Sequence, residues 1–343
     1  MAGPKCRGAG EGSQRSVLNM SEPKARIGAA AVVSLRGSCS NAPQPEYPAP
    51  SSLPMREHKP IDAAALVIVG CVRNGAKTVR RAVETLARAA TGFASVQFLI
   101  VESDSTDGTI KELESLRNEV KGFEFTSLGA VAERIPARTE RIAACRNRYL
   151  DELRHDPQYA AIDYVMVADL DGVNNDLRRE PVATCWASTV PWDVVAANQS
   201  DAYYDIWALR HADWCPVDCH DQYSRLRRLF DHPRALSIAI HSRMARLNPR
   251  GEWIEVDSAF GGLAIYRRDA LLAGHYSGVE QGRAVCEHVP LHAELRAAGY
   301  RIFINPALIN AHRTDHSARI RLRVRLRREI EAFGKRVRER LRG

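Results

Sequence analysis

The apolar residues of this chain form short continuous runs that alternate with segments of helical periodicity. Residues 64–70 and 96–101 are such runs, and they predict buried strands. Apolar side chains recur at helical spacing after each run, at Val79, Val83, Leu86 and Ala90 and then at Ile110, Leu113 and Leu116. The order strand, helix, strand, helix predicts a parallel, right-handed, doubly wound sheet.

The alternation continues along the chain. Residues 138–153 predict a helix, and residues 164–168 predict another buried strand after it. Later strands are predicted at 194–197, 261–266 and 301–305, and a later helix at 291–298. We therefore expect an α/β fold with a doubly wound, mixed but mainly parallel sheet flanked by helices, in a single domain over residues 61–316.

Acidic side chains follow these strands at the points where the strands end. Asp169 and Asp171 follow the strand at 164–168, while Glu102, Asp104 and Asp107 follow the strand at 96–101. The carboxyl ends of strands face the ligand crevice of an open α/β sheet, where carboxylates bind ribose hydroxyls. Carboxylates also bind Mn²⁺ or Mg²⁺, and such a cation can hold a diphosphate. Asp169 and Asp171 are therefore candidate metal ligands.

The predicted helix at 138–153 carries the opposite charge. Arg138, Arg141 and Arg146 lie three and five residues apart, so at most two of them share a face. A guanidinium group binds phosphate oxygens in a fork geometry. Phosphate binding and a solvated helix face both remain open for each arginine.

The two ends of the chain differ in composition from this patterned region. Residues 1–60 are rich in Gly, Ser, Ala and Pro, which predicts a disordered extension. From residue 319 onward, ten arginines and one lysine stand against three glutamates, which accounts for the whole net charge of +8. Residues 317–343 predict a basic amphipathic helix that either packs on protein or lies on anionic lipid. The basic pI therefore describes a tail and does not indicate nucleic-acid binding.

The eight cysteines are scattered without the spacing of a disulfide framework, which favours a reducing, cytoplasmic environment. Four zinc-compatible side chains lie close together, at His211, Cys215, Cys219 and His220. Their spacing matches no familiar zinc module. We interpret this segment as a loop in which these residue types coincide.

The motifs in this order resemble the nucleotide-sugar glycosyltransferases of the GT-A fold. The resemblance covers about residues 62–316 and rests on Arg73-Asn74, LIVESDSTDGT at 99–109, ACRN at 144–147, DLD at 169–171, GGLAIYRR at 261–268, EHVPL at 287–291, GYR at 299–301 and PALINAH at 306–312. Two further segments, RTER at 138–141 and YDIWALR at 204–210, resemble the fungal capsule-associated mannosyltransferases and their bacterial relatives.

The resemblance implies a metal-dependent enzyme that moves a hexose from a nucleoside-diphosphate sugar to a saccharide or lipid-linked acceptor. GDP-mannose is the donor that it implies, and Mn²⁺ or Mg²⁺ would be bound by Asp169, Asp171 and His312. The resemblance also implies a set of donor-binding residues. They are Arg73, Glu102, Asp104, Arg141, Arg146, Asn147, Asp169 and Asp205. Peripheral contact with the inner face of a membrane, through the basic tail, would suit a lipid-linked acceptor.

The chain departs from the family pattern at one position. Inverting members carry a Glu-Asp pair whose Asp deprotonates the acceptor hydroxyl, whereas this chain has Glu287-His288. His288 or Glu287 could act as the base. Alternatively the enzyme retains configuration, as the mannosyltransferase resemblance implies. Asp171, Glu287 and His288 are the candidate catalytic residues.

Two other functions fit parts of the sequence. DLDGV at 169–173 also resembles the nucleophile loop of haloacid-dehalogenase-type phosphatases, in which Asp169 would be phosphorylated. That family needs a downstream Lys or Arg, and this chain has no lysine between Lys121 and Lys335. The second alternative function is a binding module without turnover, which is suggested by His288 at the position of the family's catalytic base. An aromatic group either stacks on sugars or belongs to the core, and it comprises Tyr203, Tyr204, Trp207 and Trp214.

Overall fold

The computed structural model describes residues 57–314. The predicted tail at 317–343 and all but the last four residues of the predicted extension at 1–60 lie outside this range. Within it, Lys59 Nζ lies 2.8 Å from an Asp163 carboxylate oxygen. The described domain therefore includes residues that precede the predicted boundary at 61.

The described chain contains ten strands and eight α-helices. The strands are β1 (Ala65–Val72), β2 (Ser95–Glu102), β3 (Phe123–Ser127), β4 (Tyr164–Ala168), β5 (Val194–Gln199), β6 (Ile254–Glu255), β7 (Leu263–Arg267), β8 (Val279–Glu280), β9 (Arg283–Ala284) and β10 (Ile302–Ala311). The helices are α1 (Val79–Ala89), α2 (Thr109–Glu119), α3 (Arg138–His155), α4 (Arg179–Ala183), α5 (Cys219–Leu226), α6 (His232–Ala239), α7 (Arg268–Leu272) and α8 (His288–Ala297).

Eight of the strands form one sheet in the order β3-β2-β1-β4-β7-β5-β10-β6. Strands β3, β2, β1 and β4 run parallel to one another, and β5 runs parallel to β10. Strand β7 is antiparallel to both β4 and β5, and β6 is antiparallel to β10. The predicted mixed, mainly parallel sheet flanked by helices is confirmed.

The sheet buries both of its faces because alternate residues of each strand point to opposite sides. On one face Val67 and Val165 join a core that includes Tyr149 of α3. On the other face Ile68 joins a core that includes Leu86 of α1. Continuous apolar runs at β1, β2 and β4 are what burial on two faces requires.

The strand predictions differ from the structure mainly at their ends. Gly261 and Gly262, predicted as strand, adopt φ values of +69° and +80° and form the turn before β7. β10 extends well past the predicted end at 305, with shifts in its register against β5. Strand β3 and helices α5 and α6 were not predicted. Among residues 57–314, no helix is both long and apolar enough to cross a membrane.

Candidate active site

The carboxyl ends of β1, β2, β4 and β5 meet at one edge of the sheet because these strands share a direction. A cavity of about 790 Å³ opens at this edge. Its wall includes the predicted site residues Arg73, Asp104, Arg141, Arg146, Asp169, Asp171, Asp205, Glu287 and His288. Glu102, Asn147 and His312 are predicted site residues that do not belong to this wall.

The loops that follow β1 and β2 interlock through their polar side chains. The Asn74 carboxamide oxygen accepts the N–H of Thr106 (2.8 Å), and Ser105 Oγ accepts the N–H of Asn74 (2.9 Å). The Asp107 carboxylate accepts the N–H groups of Ala76 (3.2 Å) and Thr109 (3.0 Å). Asp107 therefore fixes the start of α2 and joins the two loops.

Glu102 and Asp104 have different surroundings, although both follow β2. Glu102 is buried, and its carboxylate accepts the N–H of Ser105 (2.9 Å) and the hydroxyl of Ser127. Asp104 has a φ of +58°, and its Oδ1 accepts the N–H of Ala132 (2.7 Å). Asp104 and the exposed Arg73 lie in the cavity wall. Glu102 lies outside the wall and stabilises the loop through its hydrogen bonds to Ser105 and Ser127.

Arg146 on α3 is the central buried charge of the site, with a side chain that is 5% exposed. Its Nε donates to Glu287 Oε1 (3.0 Å), its Nη2 to Asp169 Oδ1 (3.2 Å) and its Nη1 to the Tyr149 hydroxyl (3.4 Å). The guanidinium group also lies 5.0 Å from the ring centre of Phe260. Arg146 therefore joins two carboxylates from distant parts of the chain.

The two neighbours of Arg146 in the predicted donor set have their own polar contacts. Arg141 lies in the cavity wall, and its Nη1 donates to the carbonyl oxygen of Ile135 (3.0 Å). The Asn147 carboxamide donates to the Tyr276 carbonyl (2.8 Å) and accepts the Tyr276 N–H (2.8 Å). Asn147 thus fixes the segment that leads to α8 and does not belong to the cavity wall.

Asp169 and Asp171 are not equivalent. Asp171 is exposed, and its Oδ1 accepts the N–H of Val173 (3.1 Å). Asp169 lies deeper, where burial raises its pKa to about 7; Arg146 opposes this shift, and the Asp171, Asp205 and Glu287 carboxylates reinforce it. A cation beside these carboxylates would favour the ionised form of Asp169.

A buried network of carboxamides holds the backbone around Asp169. Asn174 Nδ2 donates to the carbonyl oxygens of Asp169 (2.8 Å) and Gly262 (2.9 Å). Asn310 Nδ2 donates to Asn174 Oδ1 (2.8 Å), and Gln199 Nε2 donates to Asn310 Oδ1 (2.9 Å). All three carboxamide residues are at most 1% exposed. Sequence reasoning missed them; for Gln199 and Asn310 the available signal was a polar residue at the end of an otherwise apolar strand.

Glu287 and His288 differ in what they can do. The Glu287 side chain is 9% exposed and lies in the cavity wall, where it accepts from Arg146. His288 is 1% exposed and stacks on Phe260 with ring centres 3.9 Å apart. Burial, with Arg146 and His292 acting in the same direction, lowers the pKa of His288 well below its ordinary value. This geometry makes His288 an uncharged part of the wall and a poor general base.

The remaining predicted residues lie at the ends of β5 and β10. Asp205 Oδ2 accepts the N–H of Gly261 (3.0 Å), and Asp205 lies in the cavity wall. His312 is exposed, and its Nδ1 lies 3.0 Å from Ser200 Oγ. The backbone N–H of His312 donates to Asp176 Oδ2 (2.8 Å). The structure thus brings Asp205, but not His312, into the cavity wall.

Within residues 57–314, no three His, Cys, Asp or Glu side chains are grouped as a metal site. The predicted set of Asp169, Asp171 and His312 is therefore not assembled as a preformed triad. The segment at 211–220, interpreted as a loop, ends in the first two residues of α5, Cys219 and His220. Its Cys215 and Cys219 sulfur atoms lie 3.4 Å apart, with Arg243 against both of them.

No protein-family model and no curated protein matches the sequence. Among solved structures, the chain is similar to "Mannosyltransferase PcManGT from Pyrobaculum calidifontis in complex with GDP-Man and Mn2+", with 16% identity and a TM-score of 0.43 over 82% of this chain and 68% of that chain.

A S. aureus TarS structure in complex with UDP-GlcNAc shows 13% identity and a TM-score of 0.41 over 74% of this chain and 60% of that chain. Glucosyl-3-phosphoglycerate synthase from Mycobacterium tuberculosis, in complex with UDP, shows 14% identity and a TM-score of 0.37 over 76% of this chain and 77% of that chain. The chain spans less than two thirds of that TarS structure.

Proposed function

We propose that the chain is a glycosyltransferase that moves a hexose from a nucleoside-diphosphate sugar to a saccharide or lipid-linked acceptor. One observation carries this proposal. A single large cavity at the carboxyl ends of β1, β2, β4 and β5 combines exposed arginines with the carboxylates of Asp169, Asp171 and Asp205. A ligand with a diphosphate, hydroxyl groups and a base needs this combination of charges.

The order of the strands suggests how the donor lies in the cavity. Strands β1 and β2 end at one side of the site, β4 ends in the middle, and β5 ends at the other side. In the proposal, Arg73 and Asp104 contact the nucleoside, and Arg141 contacts a phosphate. Asp205, at the far side, accepts hydrogen bonds from the hydroxyls of the transferred hexose. Glu102 and Asn147 support the donor site indirectly, through the segments that they hold.

The residues around β4 fit a hard divalent cation of the Mn²⁺ or Mg²⁺ type. Both Asp169 and Asp171 reach the cavity, and the raised pKa of Asp169 reflects burial together with repulsion from neighbouring carboxylates. Mg²⁺ is commonly bound by one or two carboxylates together with substrate phosphates, so a third protein ligand is not required. When bound, the cation stabilises negative charge on the leaving diphosphate. His312 remains a proposed further ligand.

The protein residues have separate roles in this mechanism. Arg146 holds Asp169 and Glu287 in fixed positions, because its guanidinium donates to both carboxylates. Glu287 reaches the cavity and is the better placed candidate for a base than the buried, uncharged His288. We propose retention of configuration as the alternative that needs no base at this position, and mannose as the transferred hexose.

The proposal is tested by a thermal-shift screen of nucleoside diphosphates and their sugars, with and without Mn²⁺. Ligand binding to the native state raises the apparent unfolding temperature by mass action. We expect one nucleoside diphosphate, GDP in the first instance, to raise it in a Mn²⁺-dependent way. Slow hydrolysis of the matching sugar nucleotide should accompany the shift. Binding without hydrolysis or transfer would identify a binding module instead.

A phosphatase acting through Asp169 makes the opposite prediction in the same assay. It would release phosphate from p-nitrophenyl phosphate and leave sugar nucleotides intact. The pairing of Asp169 with Arg146 and its pKa of about 7 leave this carboxylate a weakened nucleophile at neutral pH. Phosphate release without any thermal shift by nucleoside diphosphates would overturn the glycosyltransferase proposal.

A further inference from the structure

Of the four aromatic residues at 203–214, Tyr203 and Trp214 belong to the core, while Tyr204 and Trp207 lie in the cavity wall. Tyr203 is fully buried, and its hydroxyl accepts the N–H of Phe260 (3.3 Å). Trp214 packs on Tyr203 and donates from Nε1 to the carbonyl oxygen of Arg243 (2.7 Å). Trp207 is half-buried and lies in the wall of the cavity. Trp207 also packs on Tyr223 at the edge of the core, but unlike Tyr203 and Trp214 it lies in the cavity wall as well.

Trp207 is held in place by contacts with the start of α5. Arg210 Nη1 donates to the Trp207 carbonyl oxygen (3.1 Å), and Arg210 also forms an ion pair with Asp218, which caps α5. The Cys219 sulfur donates to the carbonyl oxygen of Ile206 (3.3 Å). These contacts join the segment that carries Trp207 to the helix beside it. The indole ring is therefore presented by a fixed backbone.

His220, the second residue of α5, completes the same part of the wall. Its ring centre lies 4.4 Å from that of Trp207, with an angle of 49° between the planes. Burial lowers the pKa of His220 to about 4, and Arg210 acts in the same direction, so the ring is uncharged at neutral pH. Trp207 Nε1 has no hydrogen-bond acceptor within residues 57–314. Trp207 and His220 together give the cavity wall an uncharged aromatic surface.

We infer that Trp207 and His220 form the acceptor subsite, in which a saccharide ring stacks on the indole and one of its hydroxyls accepts from Nε1. This inference rests on the proposed function. A sugar ring has an apolar face and hydroxyls around its edge, which match the flat indole and its polar N–H. The subsite follows β5, on the opposite side of Asp169 and Asp171 from the loops after β1 and β2. A saccharide here would lie across the cavity from the nucleoside.

The test uses saturation-transfer NMR with the full chain, GDP and the diamagnetic cation Mg²⁺, and three probes: methyl α-mannoside, methyl α-glucoside and methyl α-galactoside. We expect at least one glycoside to receive saturation from the native chain. Trp207→Ala should lower that signal by about tenfold, the factor that corresponds to losing one aromatic contact. Trp207→Phe, which keeps an aromatic face but no N–H, should lower it less.

Trp253→Ala is the matched control, because Trp253 is also half-buried but packs on Phe303 outside the cavity. It should keep the glycoside signal. Thermal unfolding checks that each variant is folded. If Trp207→Ala does not fold, Trp207→Phe takes its place in the comparison with the native chain. An unchanged signal in a folded Trp207 variant, or no signal from any glycoside with the native chain, overturns the inference. The native chain's hydrolysis of sugar nucleotides, measured separately, shows whether the proposed function itself has failed.

Discussion

The rim and the floor of the cavity are built in opposite ways. At the rim, Arg73 is exposed, and the loops after β1 and β2 are joined by hydrogen bonds to small polar side chains. At the floor, Arg146 and Glu287 are buried, and Arg146 also binds Asp169, whose side chain is 34% exposed. Charges at the rim are solvated and free to adjust to a ligand. Charges at the floor are fixed before any ligand arrives, which is what preorganised electrostatic stabilisation requires.

The largest expected effect on stability comes from removing the buried cation of the floor. Arg146→Met should lower the free energy of unfolding by about 3–5 kcal/mol, because it leaves the buried Glu287 carboxylate and the partly buried Asp169 carboxylate without their partner. Arg73→Met at the rim should change it by less than about 1 kcal/mol. Urea denaturation at pH 8, above the pKa of Asp169, measures both. Equal effects of the two substitutions would remove the distinction between rim and floor.

Asp171 should affect activity and not stability, because it is exposed at the point where the two regions meet. Asp171→Asn should lower the hydrolysis of the sugar nucleotide by about 100- to 1,000-fold, the usual loss for one electrostatic group at a reacting centre. Release of the nucleoside diphosphate in the presence of Mn²⁺ is the measurement. Asp213→Asn, an exposed carboxylate outside the cavity wall, is the control and should retain full activity. Full activity of Asp171→Asn would refute the role proposed for this residue.

The floor also depends on a close backbone approach at Gly262. A Cβ atom there would lie 2.7 Å from Val173 Cγ1 and 2.8 Å from the Tyr204 hydroxyl, at a φ of +80°. Gly262→Ala should cost about 3 kcal/mol, from left-handed backbone strain and overpacking together. Gly129→Ala has a φ of +64° but open space around the new methyl group. Gly129→Ala should therefore lower the free energy of unfolding by about 1 kcal/mol, from the backbone alone. Chemical denaturation measures both variants, and a larger loss for Gly129→Ala than for Gly262→Ala would contradict the packing described at the floor.

A further expected effect concerns pH and arises from Asp169. Because its pKa is raised to about 7, the folded state keeps a proton that the unfolded state releases near pH 4. The contribution of Asp169 to stability therefore falls as pH rises from about 4 to about 7, and Asp169→Asn should flatten this part of the curve. Mn²⁺-dependent nucleotide binding should rise over the upper part of the range. Calorimetry across pH tests this, and binding that weakened as pH rose through 7 would contradict it.

The sequence predicted the elements whose pattern is local. Strands β1, β2 and β4 are continuous apolar runs, and the acidic residues after them fall at the predicted edge of the sheet. The floor contacts were not predictable, because Arg146 and Glu287 are 141 residues apart and nothing in the helical pattern marks Arg146 as buried. The same holds for Asn310, whose partner Asn174 is 136 residues away. Burial of a polar side chain depends on these distant partners.

The reversed direction of β7 has a consequence for how such a domain can diversify. β5 ends at Gln199 and β7 begins at Leu263, and because the two strands are antiparallel, both of these points lie at the cavity edge. The intervening segment, with α5 and α6, leaves and re-enters the sheet at the same border and pairs with it once, through β6. Changes in its length add little closure entropy. Its exposed parts can therefore change in length and in their side chains, and so alter this side of the cavity wall, while the parallel strands β1, β2 and β4 stay as they are.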